Sequence, residues 1–318
     1  MAVLSRREFG GVLLAGLPLA AVLRAAEDVP LWVTTSSFRD LPRLEGRDNL
    51  EDVIRALKAA GASHVELALA NIEPAPPSVA AVMGGSAAYP KRIVLTPEQI
   101  AATNTVARGE LRAWRLQAPA SLFEQMRGRL ASAGLTVHAC AVALNDSFSD
   151  DELDATFRQV KSLGVTSVSS TLTMAMARRL VPFAQRHQIV VAIHNQVDGN
   201  PAGAIDTPAL KLALALSPAF SVKLDIGNLT ASNCDAVAEL REYRPRLSYV
   251  LLKDRLRNGG ASQPFGEGDT PIKQVLGLLA SSGPAVPAAI EYDYVGLRSS
   301  VDEVKAAAAY CRAALASR

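Results

Sequence analysis

The sequence has few cysteines and no excess of charge of either sign. Its 3 cysteines, Cys140, Cys234 and Cys311, are scattered without CxxC spacing. An odd, scattered set argues against a disulfide framework, so we expect core or surface thiols. The 33 basic and 31 acidic residues give a net charge of +2, and no basic stripe occurs. A nucleic-acid-binding protein is therefore not expected.

Long apolar runs are also lacking. The apolar run Gly11–Leu23 is shorter than the ~20 residues that span a bilayer. It follows Arg6-Arg7-Glu8-Phe9 and precedes Ala25-Ala26, a pattern typical of a twin-arginine signal peptide. We therefore predict a signal peptide at residues 1–26, export of the folded chain to the periplasm by the twin-arginine machinery, and no membrane attachment after cleavage. An uncleaved N-terminal anchor remains the alternative.

Residues 27–318 are long enough for one barrel of ~250 residues with insertions, and 49% of the chain is apolar. Short apolar runs alternate with helix-like segments, and Gly61, Gly134 and Gly164 each separate a helix from the next run. This alternation indicates parallel strands that are buried on both faces. We predict a single α/β domain, a (β/α)8 TIM barrel, with eight strands: Leu31–Thr35, His64–Leu69, Leu135–Val142, Thr166–Ser170, Val190–Ile193, Phe220–Leu224, Leu247–Leu252 and Ala288–Ile290.

Two excursions interrupt this regular pattern. The segment Ala70–Gln117 lies between the second and third strands, and Asn258–Asp269 follows the seventh. Long loops after barrel strands lie on the catalytic face and often cover the pocket. We expect the first to act as a lid or to be a peripheral embellishment, and the second to fold over the same face.

Polar residues follow the last four apolar runs, where an α/β barrel builds its active site. His194 suits a metal ligand or an acid–base group, or else a structural histidine with satisfied hydrogen bonds. Asp225 suits a metal ligand or a contact to a sugar hydroxyl, or else a helix N-cap. Glu291 is the candidate ligand and general base.

Two further charged positions allow alternatives. Lys253 suits a contact to substrate, or else a structural ion pair with the adjacent Asp254. Glu66 lies inside the second strand, and the alternation of side chains there favours an inward orientation. A catalytic role for Glu66 is the less favoured interpretation.

Five segments together resemble the xylose isomerase-like TIM barrel superfamily, which includes sugar phosphate isomerases and epimerases. They are Ala192-Ile193-His194-Asn195, Leu224-Asp225-Ile226-Gly227-Asn228, Leu252-Lys253-Asp254-Arg255, Pro264-Phe265-Gly266-Glu267-Gly268-Asp269 and Ile290-Glu291-Tyr292. The resemblance implies a divalent metal, Mn²⁺ or Mg²⁺, held by His194, Asp225 and Glu291. Leu251 stands where members usually place a fourth ligand, a histidine, so Gln196 or water would complete the site.

The resemblance implies an isomerase or epimerase that binds a small carbohydrate and abstracts a proton next to a carbonyl. Glu291 would be the base, His194 the partner acid, and Lys253 would polarise the carbonyl. Asn228 replaces a histidine common in epimerases, and with His194 on the fifth strand this argues against a symmetric two-glutamate mechanism. A lyase or hydratase of 3-keto-glycosides and a non-catalytic carbohydrate-binding barrel remain as alternatives. The sequence predicts no oligomeric state.

Overall fold

The computed structural model describes residues 29–44, 46–75, 97–198, 202–281 and 284–317. The predicted signal peptide at residues 1–26 lies outside these ranges. Within them, no helix combines the length and the apolarity needed to cross a membrane.

Eight parallel strands close into a barrel, which confirms the predicted fold. All eight predicted strands are present, with bounds that differ by at most one residue at either end. They are β1 (Leu31–Thr34), β2 (His64–Ala68), β3 (Thr136–Ala141), β4 (Ser167–Ser170), β5 (Val190–His194), β6 (Phe220–Asp225), β7 (Leu247–Leu252) and β8 (Ala288–Ile290).

Helices connect successive strands and pack around the barrel. They are α1 (Leu50–Ala60), α2 (Pro97–Gln117), α3 (Ala120–Ser132), α4 (Asp150–Ser162), α5 (Met174–His187), α6 (Thr207–Leu214), α7 (Ile226–Ala231), α8 (Ala236–Tyr243), α9 (Ile272–Ser281) and α10 (Ser300–Ala316). Local signals explain the bounds of several. Ser149, Thr173 and Ser299 cap the N-termini of α4, α5 and α10 with their hydroxyl oxygens. Gly61, at φ 73°, ends α1 in the left-handed conformation.

The interior of the barrel is filled by side chains, so it is a packed core and not a pore. One buried cluster joins Trp32, Ala139, Ala192, Tyr249, Leu251 and Ala289. Trp32 stacks on His138 with ring centroids 4.5 Å apart, and Nε2 of His138 lies 2.9 Å from Nδ1 of His64. These rings occupy the part of the barrel near the N-terminal ends of the strands. Space for a ligand is therefore left at the opposite end.

Candidate active site

A cavity of about 700 Å³ opens at the C-terminal ends of the strands. Residues that follow or end seven of the eight strands line it, including Ser36, Ser170, His194, Lys253 and Glu291. This is the face on which TIM barrels carry their active sites. The structure therefore brings three of the predicted site residues to one cavity, with Asp225 directly beneath them.

Asp225, the last residue of β6, is a helix N-cap, one of the interpretations that the sequence leaves open, and it also contacts His194. Its Oδ1 accepts the backbone N–H of Asn228 at 2.9 Å and so caps α7. Its Oδ2 lies 3.0 Å from Nε2 of His194. A carboxylate can only accept, so Nε2 carries a proton, and Nδ1 of His194 has no hydrogen-bond partner among the described residues. Burial, together with the nearby lysines, lowers the pKa of His194 despite Asp225, which keeps the imidazole neutral.

Lys253 directly follows β7 and lies among three carboxylates. Its Nζ is 2.9 Å from Oε2 of Glu291 and 3.2 Å from Oδ2 of both Asp225 and Asp293. Burial on its own would lower the pKa of Lys253, but these three carboxylates raise it well above its usual value. The alternative of an ion pair with Asp254 is wrong. Asp254 instead accepts the backbone N–H groups of Gly266, Gly268 and Thr270.

Glu291 follows β8 and has a protein donor on each oxygen. Oε1 accepts from the hydroxyl of Ser36 at 2.8 Å, and Oε2 faces Lys253. Burial would raise the pKa of Glu291, but the positive charge of Lys253 lowers it to about 2. We call His194, Asp225, Lys253, Glu291 and Asp293 the mouth cluster.

A second group of charges lies nearer the N-terminal ends of the strands. Nζ of Lys223 is 2.8 and 2.9 Å from the two oxygens of Glu66. The hydroxyl of Ser169 donates to Glu66 at 2.5 Å, and the hydroxyl of Tyr249 donates to it as well. Glu66 does face inward, but it is fully buried and does not line the cavity. We call Glu66, Lys223, Ser169 and Tyr249 the inner cluster.

The two excursions behave differently. Leu111 and Arg115 of α2 line the cavity, and Arg115 is held by Glu73 at 2.6 Å and Glu152 at 2.8 Å. The first excursion thus supplies a wall of the cavity, although residues 76–96 of it lie outside the described ranges. The second excursion is fixed by Asp254, and none of its residues lines the cavity. Glu267 therefore lies outside the candidate site.

The residues predicted as metal ligands do not fit an ion in this arrangement. Leu251 is fully buried in the apolar interior cluster. Gln196, the possible substitute ligand, donates through Nε2 to the hydroxyl of Thr171 at 2.8 Å. Across the part of the chain that the structure describes, no group of three or more His, Cys, Asp or Glu side chains is placed to hold a metal ion.

No protein-family model matches the sequence, and no curated protein matches it. Solved structures do match the fold. A xylose isomerase domain protein from Planctomyces limnophilus superposes with a TM-score of 0.56 at 12% identity, covering 90% of this chain and 96% of that one. The chain therefore shares the barrel fold of this protein.

Two other solved structures with this fold are similar to the chain. The D-allulose 3-epimerase from Methylomonas sp., solved with D-allulose, gives a TM-score of 0.58 at 12% identity, covering 90% of this chain and 97% of that one. The IolI protein, solved with a bound zinc atom, gives 0.59 at 10% identity, covering 91% and 98%. Superpositions at such low identity show a shared fold, and the reaction has to be argued from the site itself.

Three residues of the site are absent from the sequence prediction: Ser36, Lys223 and Asp293. Two of them could have been predicted from the alternation of side chains along extended chain. Lys223 lies two residues before Asp225, and Asp293 lies two residues after Glu291, so each shares a side of the backbone with a predicted site residue. Ser36 follows β1, and no charged residue lies at the end of that strand to indicate a functional position.

Proposed function

We propose that this chain is an enzyme that acts on a sugar, polyol or keto-sugar by abstracting a proton next to a carbonyl. The observation that carries the proposal is the mouth cluster itself. A neutral imidazole oriented by a carboxylate lies beside an ammonium paired with a second carboxylate, all at one cavity. Such an arrangement provides proton transfer and a positive charge where an oxyanion develops.

The geometry suggests a role for each group. When the substrate carbonyl oxygen accepts a hydrogen bond from Lys253, the ammonium turns partly away from Glu291, and the freed carboxylate becomes the stronger base. Glu291 then removes the proton from carbon, and Lys253 stabilises the enediolate oxygen. For an isomerisation, His194 accepts the proton of the neighbouring hydroxyl through its free Nδ1 and returns it to the enediolate oxygen, with Asp225 stabilising the imidazolium between these two transfers, and Glu291 then returns its proton to carbon.

The charges around the cavity favour a neutral sugar over a sugar phosphate. Asp225, Glu291 and Asp293 surround the single ammonium of Lys253, and His194 is neutral. Lys223 is already neutralised by Glu66. The mouth cluster therefore has an excess of negative charge, which repels an anionic substrate group.

Solvent-deuterium exchange followed by NMR tests this proposal across ketoses, 3-keto-glycosides and their phosphorylated counterparts. We expect exchange at the carbon beside the carbonyl for a neutral sugar. Glu291→Gln keeps the shape of the side chain but removes the basic carboxylate, so exchange should fall about 100-fold or more. Glu267→Gln, in the loop held by Asp254, is the matched control and should retain the wild-type rate.

Each outcome of this assay separates the candidate reactions. Conversion between two sugars identifies an isomerase or epimerase. Loss of a glycosyl group or of water after exchange identifies a lyase or dehydratase of 3-keto-glycosides. Binding of a sugar without any exchange across the panel would favour a carbohydrate-binding barrel instead. Wild-type exchange in Glu291→Gln would remove Glu291 from the role of base.

We also propose that residues 1–26 direct export to the periplasm. The support is the pair Arg6-Arg7 before a short apolar run. The double substitution Arg6→Lys with Arg7→Lys should leave the chain in the cytoplasm, as measured by fractionation. Normal periplasmic accumulation of this variant would argue against twin-arginine export.

A further inference from the structure

Each oxygen of the two carboxylates expected to bind a metal already has a protein donor. Oδ1 of Asp225 accepts from Asn228, and its Oδ2 faces both His194 and Lys253. Glu291 accepts from Ser36 on one oxygen and faces Lys253 on the other. Buried carboxylate oxygens normally need such partners. None of these four oxygens lacks a protein donor, so none requires a bound cation.

His194 and Leu251 also argue against a metal at this site. Nε2 of His194, the ring nitrogen that faces Asp225, is engaged as a donor, so the imidazole and this carboxylate cannot share an ion at their contact. On β7, Leu251 pairs in register with Asp225 on one side and Ala289 on the other. This position, beside Asp225, presents a hydrocarbon side chain that cannot coordinate an ion.

The cation at this place is an ammonium. Nζ of Lys253 lies within 3.2 Å of Asp225 and 2.9 Å of Glu291, between the carboxylates that would share a metal. A lysine ammonium has three donor hydrogens and no lone pair, and three carboxylates surround it. A divalent ion bound to the same oxygens at the usual 2.0–2.6 Å would lie against this positive charge.

We propose that Lys253 takes the place of the divalent ion, so that the mouth cluster works without a metal. The ammonium supplies the fixed positive charge at the oxyanion, and it holds Asp225 and Glu291 in place as an ion would. This inference concerns the same residues as the proposed function. Its test measures metal binding without substrate, so the two fail separately.

The first experiment is calorimetric titration of the wild-type protein with Mn²⁺ and with Zn²⁺. We expect no stoichiometric site in the micromolar range, and the same weak heats for Glu291→Gln as for wild type. A single equivalent of either ion that binds with micromolar affinity, and tenfold more weakly in Glu291→Gln or Asp225→Asn, would overturn the inference. A wild-type protein that binds metal in this way and also exchanges substrate protons would overturn this inference alone.

The second experiment removes the ammonium. Lys253→Met keeps most of the side-chain volume but leaves three carboxylates without their cation. We expect Mn²⁺ to bind this variant at least tenfold more tightly than wild type, and Mn²⁺ to raise its melting temperature but not that of wild type. Lys211→Met is the matched control, because Lys211 is an exposed surface lysine.

Adding Leu251→His to Lys253→Met should tighten Mn²⁺ binding further, since it restores a ligand at the register position of Asp225. Unchanged Mn²⁺ affinity in Lys253→Met would contradict the proposal that the lysine and the ion compete for one place. If Lys253→Met does not fold without metal, the wild-type titration decides the question.

Discussion

The inner and mouth clusters each contain a buried lysine that is paired with carboxylate. They differ in the number of carboxylates around the lysine and in how far those carboxylates are exposed. In the inner cluster, Lys223 meets one carboxylate, and that carboxylate is fully buried and also bound by Ser169 and Tyr249. In the mouth cluster, Lys253 meets three carboxylates, and Glu291 and Asp293 retain 14% and 22% of their side-chain exposure.

We interpret this difference as one between a structural ion pair and the reactive group that we propose. Lys223 and Ser169 border the cavity, but both donate to the fully buried Glu66, so we interpret the inner pair as fixing the orientation of strands across the barrel. An open cluster with more carboxylates than cations can exchange one of its hydrogen bonds for a substrate oxygen. Bordering the cavity does not distinguish the two lysines, since Lys223 and Lys253 both line it; the distinguishing feature is the excess of carboxylates around Lys253.

The largest expected effect comes from breaking the inner pair. Lys223→Met leaves Glu66 buried without its cation, which typically costs about 3–5 kcal/mol of stability. Urea unfolding measures the loss. Adding Glu66→Gln should restore most of it, because the uncompensated charge is gone. Lys253→Met should cost less than Lys223→Met, because water in the cavity can reach Glu291 and Asp293. An equal or larger loss for Lys253→Met would erase the distinction between the clusters.

A matched pair of serines sharpens the comparison at a smaller scale. Ser169 donates to Glu66 in the inner cluster, and Ser36 donates to Glu291 in the mouth cluster. Ser169→Ala removes a donor from a carboxylate that water does not reach, so we expect a loss of about 1–3 kcal/mol. Ser36→Ala should cost less than ~1 kcal/mol, because cavity water replaces the hydroxyl.

Urea unfolding of both alanine variants at neutral pH provides the measurement. Thr156→Ala serves as a control for the method, since the Thr156 hydroxyl is buried and bonds only the neutral Glu152 carbonyl of its own helix. If Ser36→Ala is the more destabilising of the two serine variants, the mouth cluster is as closed as the inner one.

The barrel and the strand ends could be predicted from the sequence because both depend on local pattern. Eight apolar runs alternate with helix-like segments, three of which end in glycine, and the residue after each run lies at the C-terminal end of the barrel. What the sequence could not supply was which charges pair. Lys253 is adjacent to Asp254 in the chain, yet the peptide geometry sends the two side chains to different sides. The partners of Lys253 come from β6 and from the segment after β8.

Helix α2 shows a second limit of pattern. It is only weakly amphipathic and contains Gly109, so the spacing of its apolar residues does not predict a helix. The sequence analysis therefore predicts only a long excursion at this place. Its position is set by tertiary contacts, chiefly those of Arg115 with Glu73 and Glu152. Such long-range ion pairs leave no signature in the spacing of residues along the chain.

The smallest expected effect concerns acid stability and again contrasts the clusters with the surface. Burial on its own would raise the pKa of Glu66, but the charge of Lys223 and the hydrogen bonds of the inner cluster lower it below the ordinary value of 4.5. A carboxyl group whose pKa is lower in the folded chain stabilises the fold above the unfolded-state pKa. That contribution is lost as the pH falls below about 4.5 toward the folded-state pKa.

Glu66→Gln removes this titration. Its overall stability should be lower than that of wild type, because Lys223 loses its partner, but the further loss between pH 5 and pH 3 should be smaller. Each unit of pKa difference corresponds to about 1.4 kcal/mol, so urea unfolding at pH 5, 4 and 3 resolves the change. Glu124→Gln, on the exposed face of α3, should keep the wild-type slope. A wild-type slope in Glu66→Gln would mean that the inner pair does not hold its charge through the acid range, and the structural role assigned to it would fail.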